Sequence, residues 1–288
     1  MIWEFAINGL ITGVLYSLMA IGFALVYNTT RIFHIAASGL YVFAAYMLWL
    51  FSSVCGFPLV IAAIVAVILS AGLSLLMELL VYRPLKMRNA TPNVSLIASI
   101  GMMTIIISTI TMVFGMEAKT VSFSENVLQI GKISILVSQI IQFVCGAVLL
   151  IAFLWALKRT SWGTRLRALS NDERLYETLG HNPWRSRNIL FLISGAFIAL
   201  SSTLTVFSVG LDSTMGMQAL IYAMIAIVIG GIGRYWTCVL GGLLLGIIKS
   251  LLDLFVAATW IDAITFIILI VLLYVRPRGI AGYKQRTV

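Results

Sequence analysis

The chain predicts an all-α polytopic membrane protein: about nine transmembrane helices, one of which also admits a re-entrant reading, and a short cytoplasmic helix in one long connection. Three observations predict it. Apolar residues make up 61% of the 288 and charged ones 10%, more hydrophobic surface than a water-soluble domain of this length can cover. The apolar residues fall into nine runs near the twenty or so that cross a hydrocarbon core of about 30 Å at about 1.5 Å per residue. Lys and Arg concentrate in alternate connections, as they do in cytoplasmic loops.

The first run, Phe5 to Tyr27, lacks a basic leader, is too long for a cleavable signal, and is expected to stay as a span. Gly9 and Gly13 stand four apart with Ser17 one turn further, a spacing that lets helix backbones approach. Beside them Asn8, Thr12 and Tyr16 recur every four residues. Such a polar strip should face inward, as a pathway wall or as interhelical hydrogen bonds. The second run, Phe33 to Ser52, carries Ser38-Gly39 near its start, where a break would make it re-entrant and move the N-terminus to the other side. Pro58 to Val81 leads to Arg83, Lys86 and Arg88, and Val94 to Gly115 to a loop of balanced charge with Glu117, Lys119, Glu125 and Lys132. Ile135 to Leu157 is the fifth run. After a long loop come Ile189 to Ser208, Met217 to Gly233, Thr237 to Ala257 and Trp260 to Val275. Gly242 and Gly246 repeat the small-residue spacing. Lys249 and Asp253, at i and i+4 in an apolar helix, are expected to pair with each other.

Charge sets the sides. Reading back from Arg276, Arg278, Lys284 and Arg286, every Lys- and Arg-rich connection falls inside, and of the nineteen basic residues only Lys119, Lys132 and Lys249 do not. Nine crossings then place the C-terminus in the cytoplasm and the N-terminus outside. The loop from Lys158 to Asn188 (158-188) carries seven of these residues. Within it, Ser170 to Gly180 reads as a helix of about two and a half turns, with a capping residue, two acids in the first turn, Leu175 and Leu179 on one face, and a glycine stop. A helix so short is unstable alone in water. Its acid-rich first turn suits a protein groove better than an anionic membrane surface, while Arg165, Arg167, Arg185 and Arg187 are expected to anchor its flanks at the headgroups.

Several function classes recede. A net charge of +9 would point to nucleic acid in a soluble chain, but here the bases flank spans and the lipid bilayer accounts for them. Cys55, Cys145 and Cys238 are odd in number, far apart and in or beside apolar runs, so they read as small core residues and not as a disulfide or metal set. No metal site and no catalytic residue is expected, since His34 and His181 lack a Ser or Cys partner at recognisable spacing. No phosphate-binding G-x-x-x-x-G-K-[ST] loop occurs; Gly241 to Gly246 has the glycines but continues Ile247-Ile248 inside a span. An ion-coupled carrier is the alternative reading, its candidates being Lys249, Asp253, Glu78 and Asp262.

Ordered motifs also carry a family resemblance. Asn8-Gly9-Leu10 with Gly13, Tyr16-Ser17-Leu18, Ala20, Gly22 and Val26-Tyr27 opens the pattern, and Glu78 with Tyr82-Arg83-Pro84-Leu85 continues it. Gly163, Arg167, Asp172, Leu179-Gly180 and Asn182 follow, then Gly230-Gly231-Ile232-Gly233, Leu240-Gly241-Gly242 and Leu245-Gly246, ending in Arg276-Pro277-Arg278-Gly279. From about Asn8 to Gly279 the chain resembles the permease subunits of branched-chain amino acid ABC importers, the Liv type of the type II importer class. The resemblance implies one transmembrane permease domain over 1-288, in a bacterial inner membrane, driven by separate ATPases. It makes Asp172 to Gly180 the coupling helix, with Asp172, Glu173, Leu175, Tyr176, Leu179 and Gly180 seated on an ATPase. A second permease subunit, paralogue or copy, two cytoplasmic ATPase subunits holding ATP and Mg, and an external solute-binding protein meeting loops such as Asp212 to Gly216 are the implied partners. This chain itself is expected to bind no cofactor. Asn8, Thr12, Tyr16 and Tyr222 are candidates for the pathway lining, and Gly9, Gly13, Gly242 and Gly246 for helix packing. The chain departs from the family at His34-Ile35-Ala36-Ala37-Ser38-Gly39, commonly Asn-Phe-Ala-His-Gly and an acid, at Tyr222, often Lys, and at Arg234-Tyr235-Trp236-Thr237. A substrate other than leucine, isoleucine or valine is compatible with these changes.

Overall fold

A computed structural model describes residues 2–121, 127–130, 133–231, 233–275 and 279. Glu125, Lys132, Ile232 and the basic residues Arg276, Arg278, Lys284 and Arg286 lie outside them. All nine apolar runs are helical: α1 (Ile2–Thr30), α2 (Ala37–Trp49), α3 (Leu59–Met77), a short α4 (Arg83–Met87), α5 (Pro92–Phe114), α6 (Val137–Arg159), then α7 (Ser161–Asn171) and α8 (Glu173–Thr178) in the long loop, α9 (Pro183–Val209), α10 (Met215–Gly230), α11 (Tyr235–Leu252) and α12 (Ala258–Val275). Among the described residues seven helical runs are long and apolar enough to cross a membrane; Met215–Gly230 and Trp260–Val271 are shorter apolar helices. The protein is an all-α polytopic membrane protein. An antiparallel hairpin of β1 (Val127–Ile130) and β2 (Ile133–Leu136) joins α5 to α6, and was not foreseen from the balanced-charge loop.

Helix α1 sits at the centre, packed on α11, α9, α10 and α6. Its glycines and those of α11 form one seam. A Cβ on Gly9 would stand 2.9 Å from the Ile247 Cα, and one on Gly13 would stand 2.9 Å from the Leu243 Cα; Gly246 lies directly on the Gly13 backbone and Gly242 on Ser17. The Ser17 hydroxyl closes the seam, 2.7 Å from the Gly13 carbonyl and 3.0 Å from the Val239 carbonyl. Without side chains between them the two backbones come into contact, which is where packing in hydrocarbon gains its energy. Helix α9 uses serine for the same end. Ser194, Ser201 and Ser202 donate to the Gly22, Leu15 and Tyr41 carbonyls at 2.6, 2.9 and 2.6 Å, so each hydroxyl finds its partner inside the protein.

The break foreseen at Ser38-Gly39 falls earlier. Residues 31–36 form the link out of α1, and both Ser38 and Gly39 are already helical. Gly39 lies 3.3 to 3.4 Å, by its would-be Cβ, from Ile106 and Met103 of α5; a larger residue would have forced the helices apart. From there the run Ala37–Val54 is continuous and is one of the seven long enough to span. It follows α5 from Ser99, whose Oγ accepts from the Ala36 N–H at 2.9 Å, to Phe114, whose ring meets Tyr46 and Trp49. Its length, composition and continuous helix fit a crossing.

Two π-helical turns interrupt the α-pattern, Leu50–Val54 after α2 and Glu78–Tyr82 between α3 and α4. The second widens the helix by one residue, so that Glu78 and Tyr82, at its two ends, are both buried; such bulges occur often at functional positions. The cysteines correct the sequence reading. All three are free thiols, but only Cys238 is in the core; Cys55 at the Gly56 turn and Cys145 on α6 are exposed.

Candidate functional site

The long connection between α6 and α9 is built from two helices where the sequence pointed to one. Thr160 caps α7 by accepting from the Gly163 N–H at 3.3 Å, and Gly163 is required there because a Cβ would run into the Leu157 carbonyl. Leu166 and Leu169 bury the inner face of α7, a signal that was present in the sequence as an i, i+3 pair. Asp172 then breaks the chain with extended φ/ψ of −151° and 109° and caps α8 by accepting from the Leu175 N–H at 3.1 Å. The helix expected from Ser170 or Asn171 therefore starts only at Glu173, because the Asp172 side chain takes the cap. Its other end matches expectation: Gly180 has φ +81° and its N–H bonds to the Glu177 carbonyl, the left-handed stop that glycine permits.

Helix α8 has two different sides. Leu175 and Leu179 are exposed, while Tyr176 is buried. Glu173 pairs with Lys86 of α4, and the Tyr176 hydroxyl hydrogen-bonds Ser186 Oγ of α9 at 2.8 Å. One side of this short helix is thus fastened to the membrane-spanning bundle, and the other offers two leucines to the outside.

Behind that fastening lies a polar cluster. Arg187 of α9 does not anchor at headgroups as expected; it is sealed inside, donating from Nε to Glu78 Oε1 at 2.6 Å and from Nη2 to Oε2 at 3.1 Å. Arg165, Arg167 and Arg185 are exposed. The Trp184 ring stands among three cations, 5.0 Å from the Arg83 guanidinium, 5.6 Å from that of Arg187 and 5.7 Å from Lys86 Nζ. One turn on, His34 Nδ1 is 2.8 Å from the Tyr82 hydroxyl, which donates to Ser99 Oγ at 2.9 Å. This assigns the imidazole hydrogen to Nδ1, and Nε2 is buried without a partner. Burial pushes the His34 imidazole down to about 3, so it is neutral at physiological pH.

At the other end of the bundle, Asn8, Thr12 and Tyr16 line a cavity of about 140 Å³ together with Tyr41, Gln139, Gln142, Ser201 and Thr205. Many of its polar groups already pair: Gln139 with Asn8 at 3.3 Å, Tyr41 with Thr205 at 2.9 Å, and Gln142 with the Leu204 carbonyl at 2.7 Å. The strip read from the sequence therefore serves interhelical bonding and lines a cavity at once. Tyr222 does not line that cavity. Its ring meets Tyr16 with centroids 4.9 Å apart, and its hydroxyl contacts both Asp262 and Lys249.

That cluster corrects the expected Lys249–Asp253 pair. Lys249 Nζ lies 3.7 Å from Asp262 Oδ1 and 3.8 Å from the Tyr222 ring centroid, while Asp253 occupies the C-cap of α11. The i, i+4 spacing lost to tertiary packing because α12 brings Asp262 alongside. Asp212, in the loop between α9 and α10, accepts at Oδ1 from the Thr214 and Met215 N–H groups at 2.6 and 2.8 Å, shaping the entry to α10. Among the described residues no group of three or more His, Cys, Asp or Glu is placed to hold a metal.

Comparison with known proteins bears on this arrangement. Residues 5–273 match the family described as branched-chain amino acid transport system, permease component. The high-affinity branched-chain amino acid transport system permease protein LivH of Escherichia coli (strain K12) is 27% identical over 96% of this chain and 94% of its own. The corresponding protein BraD of Pseudomonas aeruginosa is 27% identical over 97% and 95%. The chain is also similar in fold to a solved structure, PsaBC from Streptococcus pneumoniae in complex with Fab, with a TM-score of 0.52 at 17% identity, covering 94% of this chain and 91% of that one.

Proposed function

The chain belongs to the family of branched-chain amino acid transport permease components, and on that premise we propose that it forms half of a pore that admits leucine, isoleucine, valine or a related small polar solute across a bacterial inner membrane. As a permease subunit of an ABC importer it is a transporter component. The finer assembly is part of the proposal: a second permease subunit, paralogue or copy, completes the pore; two cytoplasmic ATPases hold ATP and Mg; an external binding protein delivers the solute; and the C-terminus is cytoplasmic.

The observation that carries this reading is the two-sided α8. Its exposed Leu175 and Leu179 suit a groove on an ATPase, and its buried side is held by Lys86 and Ser186. A push on α8 passes to α4 through Glu173 and to α9 through Tyr176, and Glu78–Arg187 ties α9 to the π-turn that joins α3 to α4. ATP-driven movement of the ATPases would then tilt α3 and α9 as one body between outward and inward states, a rigid-body transition biased by differential binding. Asn8, Thr12 and Tyr16 would line the outer approach, with Tyr222 behind Tyr16.

The test is reconstitution with the ATPases. Reversing both acids, Asp172→Lys with Glu173→Lys, is expected to leave the subunit in the membrane and ATP hydrolysis running while uptake stops. Normal uptake by that double variant would remove α8 from the mechanism, and failure of the unaltered chain to bring down an ATPase on purification would overturn the reading as a whole.

A further inference from the structure

An amino acid carries two opposite charges, and the uncharged cavity beside α1 meets neither. Two opposite charges lie behind Tyr16. Lys249 near the end of α11 and Asp262 near the start of α12 stand 3.7 Å apart, joined through the Tyr222 hydroxyl, which donates to Asp262 and accepts from Lys249. Tyr16 connects this group to the cavity: it lines the cavity with Asn8 and Thr12, packs its ring against that of Tyr222 at a tilt and lies 5.9 Å by its ring centroid from Lys249 Nζ.

The same molecule supplies a contrast. Glu78 and Arg187, which brace helices, are 0% and 2% exposed and bonded directly at two points. Lys249 and Asp262 are 25% and 48% exposed and meet largely through a third group. A pair that only cancels charge is best sealed, because the low dielectric strengthens it and hydrogen bonds satisfy it. An open, bridged pair can exchange partners. Ionisable groups inside membrane helices are costly and are kept where they face a partner or a water-filled path.

We propose that Lys249, Tyr222 and Asp262 form a dipolar station for the free α-amino acid group: Lys249 and the Tyr222 hydroxyl take the carboxylate, and Asp262 takes the ammonium. This rests on the permease reading above. In the empty state Asp262 stands in for the solute's carboxylate on Lys249. On binding, the carboxylate replaces it and the freed Asp262 carboxylate meets the ammonium, so no charge is left unpaired at any stage. A solute that lacks either charge leaves one protein charge without a partner, and sites built this way reject such analogues strongly. The aliphatic side chain is not read here, which fits a station common to several amino acids.

The experiment uses the complete importer in proteoliposomes, with uptake of the free amino acids measured one by one and, in competition, leucinamide and isoamylamine. The unaltered importer is expected to take up at least one free amino acid and to ignore the amide and the amine. Lys249→Met with Asp262→Leu removes both charges together, so no lone charge is stranded and the fold is kept. This double variant is expected to assemble and hydrolyse ATP, yet to need at least about tenfold more amino acid for half-maximal uptake; Lys249→Gln alone should weaken exclusion of isoamylamine. Uptake by the double variant at the unaltered half-saturation would overturn the station and leave the permease reading intact. Loss of the second permease subunit on purifying the double variant would instead assign the pair to the subunit interface. Transport by the unaltered importer of solutes other than zwitterions, in place of amino acids, would overturn the station and leave the permease reading, which admits a related small polar solute.

Discussion

Arg187 of α9 holds Glu78 of the π-turn beneath α3 through two hydrogen bonds, 2.6 and 3.1 Å, with neither side chain reaching solvent. Removing one member strands the other charge, which costs about 3–5 kcal/mol, whereas replacing both by apolar groups of similar volume is often neutral. Glu78→Met or Arg187→Met alone should therefore lower the melting temperature in detergent sharply, and the double variant should recover most of it. Equal melting of all four proteins would mean that the pair does not brace α3 against α9.

Lys86 and Glu173 are each about one-third exposed, so their pairing contributes little to stability, about 1 kcal/mol or less. Its importance should lie in transmission. Glu173→Lys is expected to lower uptake per ATP hydrolysed, and adding Lys86→Glu, which restores an attractive pair, is expected to recover part of that ratio. If the swap recovers nothing, the acid acts on the ATPase and not on α4.

Gly246 and Gly72 should respond in opposite ways. A side chain on Gly246 would enter the backbone of α1, whereas Gly72 on α3 has open space around it. Gly246→Leu should destabilise by several kcal/mol or abolish assembly, consistent with overpacking. Gly72→Ala should be neutral or stabilise by about 0.5–1 kcal/mol through helix propensity. Thermal melting of the two variants in one detergent checks this.

His34 lies in the link between the spans Phe5–Thr30 and Ala37–Val54, with its imidazole lowered from 6.5 to about 3. Between those values the unfolded chain binds a proton that the folded chain refuses. The stability this contributes is present above about pH 6.5 and is lost as the pH falls, at up to about 1.4 kcal/mol per pH unit. Melting followed from pH 7 to pH 4 should show a shallower decline for His34→Gln than for the unaltered protein; identical slopes would mean that the unfolded chain also keeps this ring neutral.

Local physics made much of this readable in advance. The nine apolar runs became helices because hydrocarbon forces each backbone to satisfy itself, and Gly9, Gly13, Gly242 and Gly246 pack as their spacing implied; that the two sets are one seam depends on a contact between residues over 220 positions apart. Gly180 stops α8 because only its own φ matters there. The failures involve competition at a distance. Asp253 is nearer to Lys249 in sequence, yet Asp262 on another helix takes the pairing. Arg187 belongs to a basic segment whose Arg165, Arg167 and Arg185 are exposed, and only the position of Glu78 turns it inward. Nothing in the local pattern marks the π-turns, whose extra residue follows from what Glu78 and Tyr82 must reach.

The central place of α1 has a consequence for biosynthesis. This helix is made well before α11, so Ser17 must wait for Val239, 222 residues later. At about 5–20 residues per second that delay is about 10–45 s, during which its bare glycine groove lacks its permanent neighbour. The seam on α1 is thus completed only when α11 arrives.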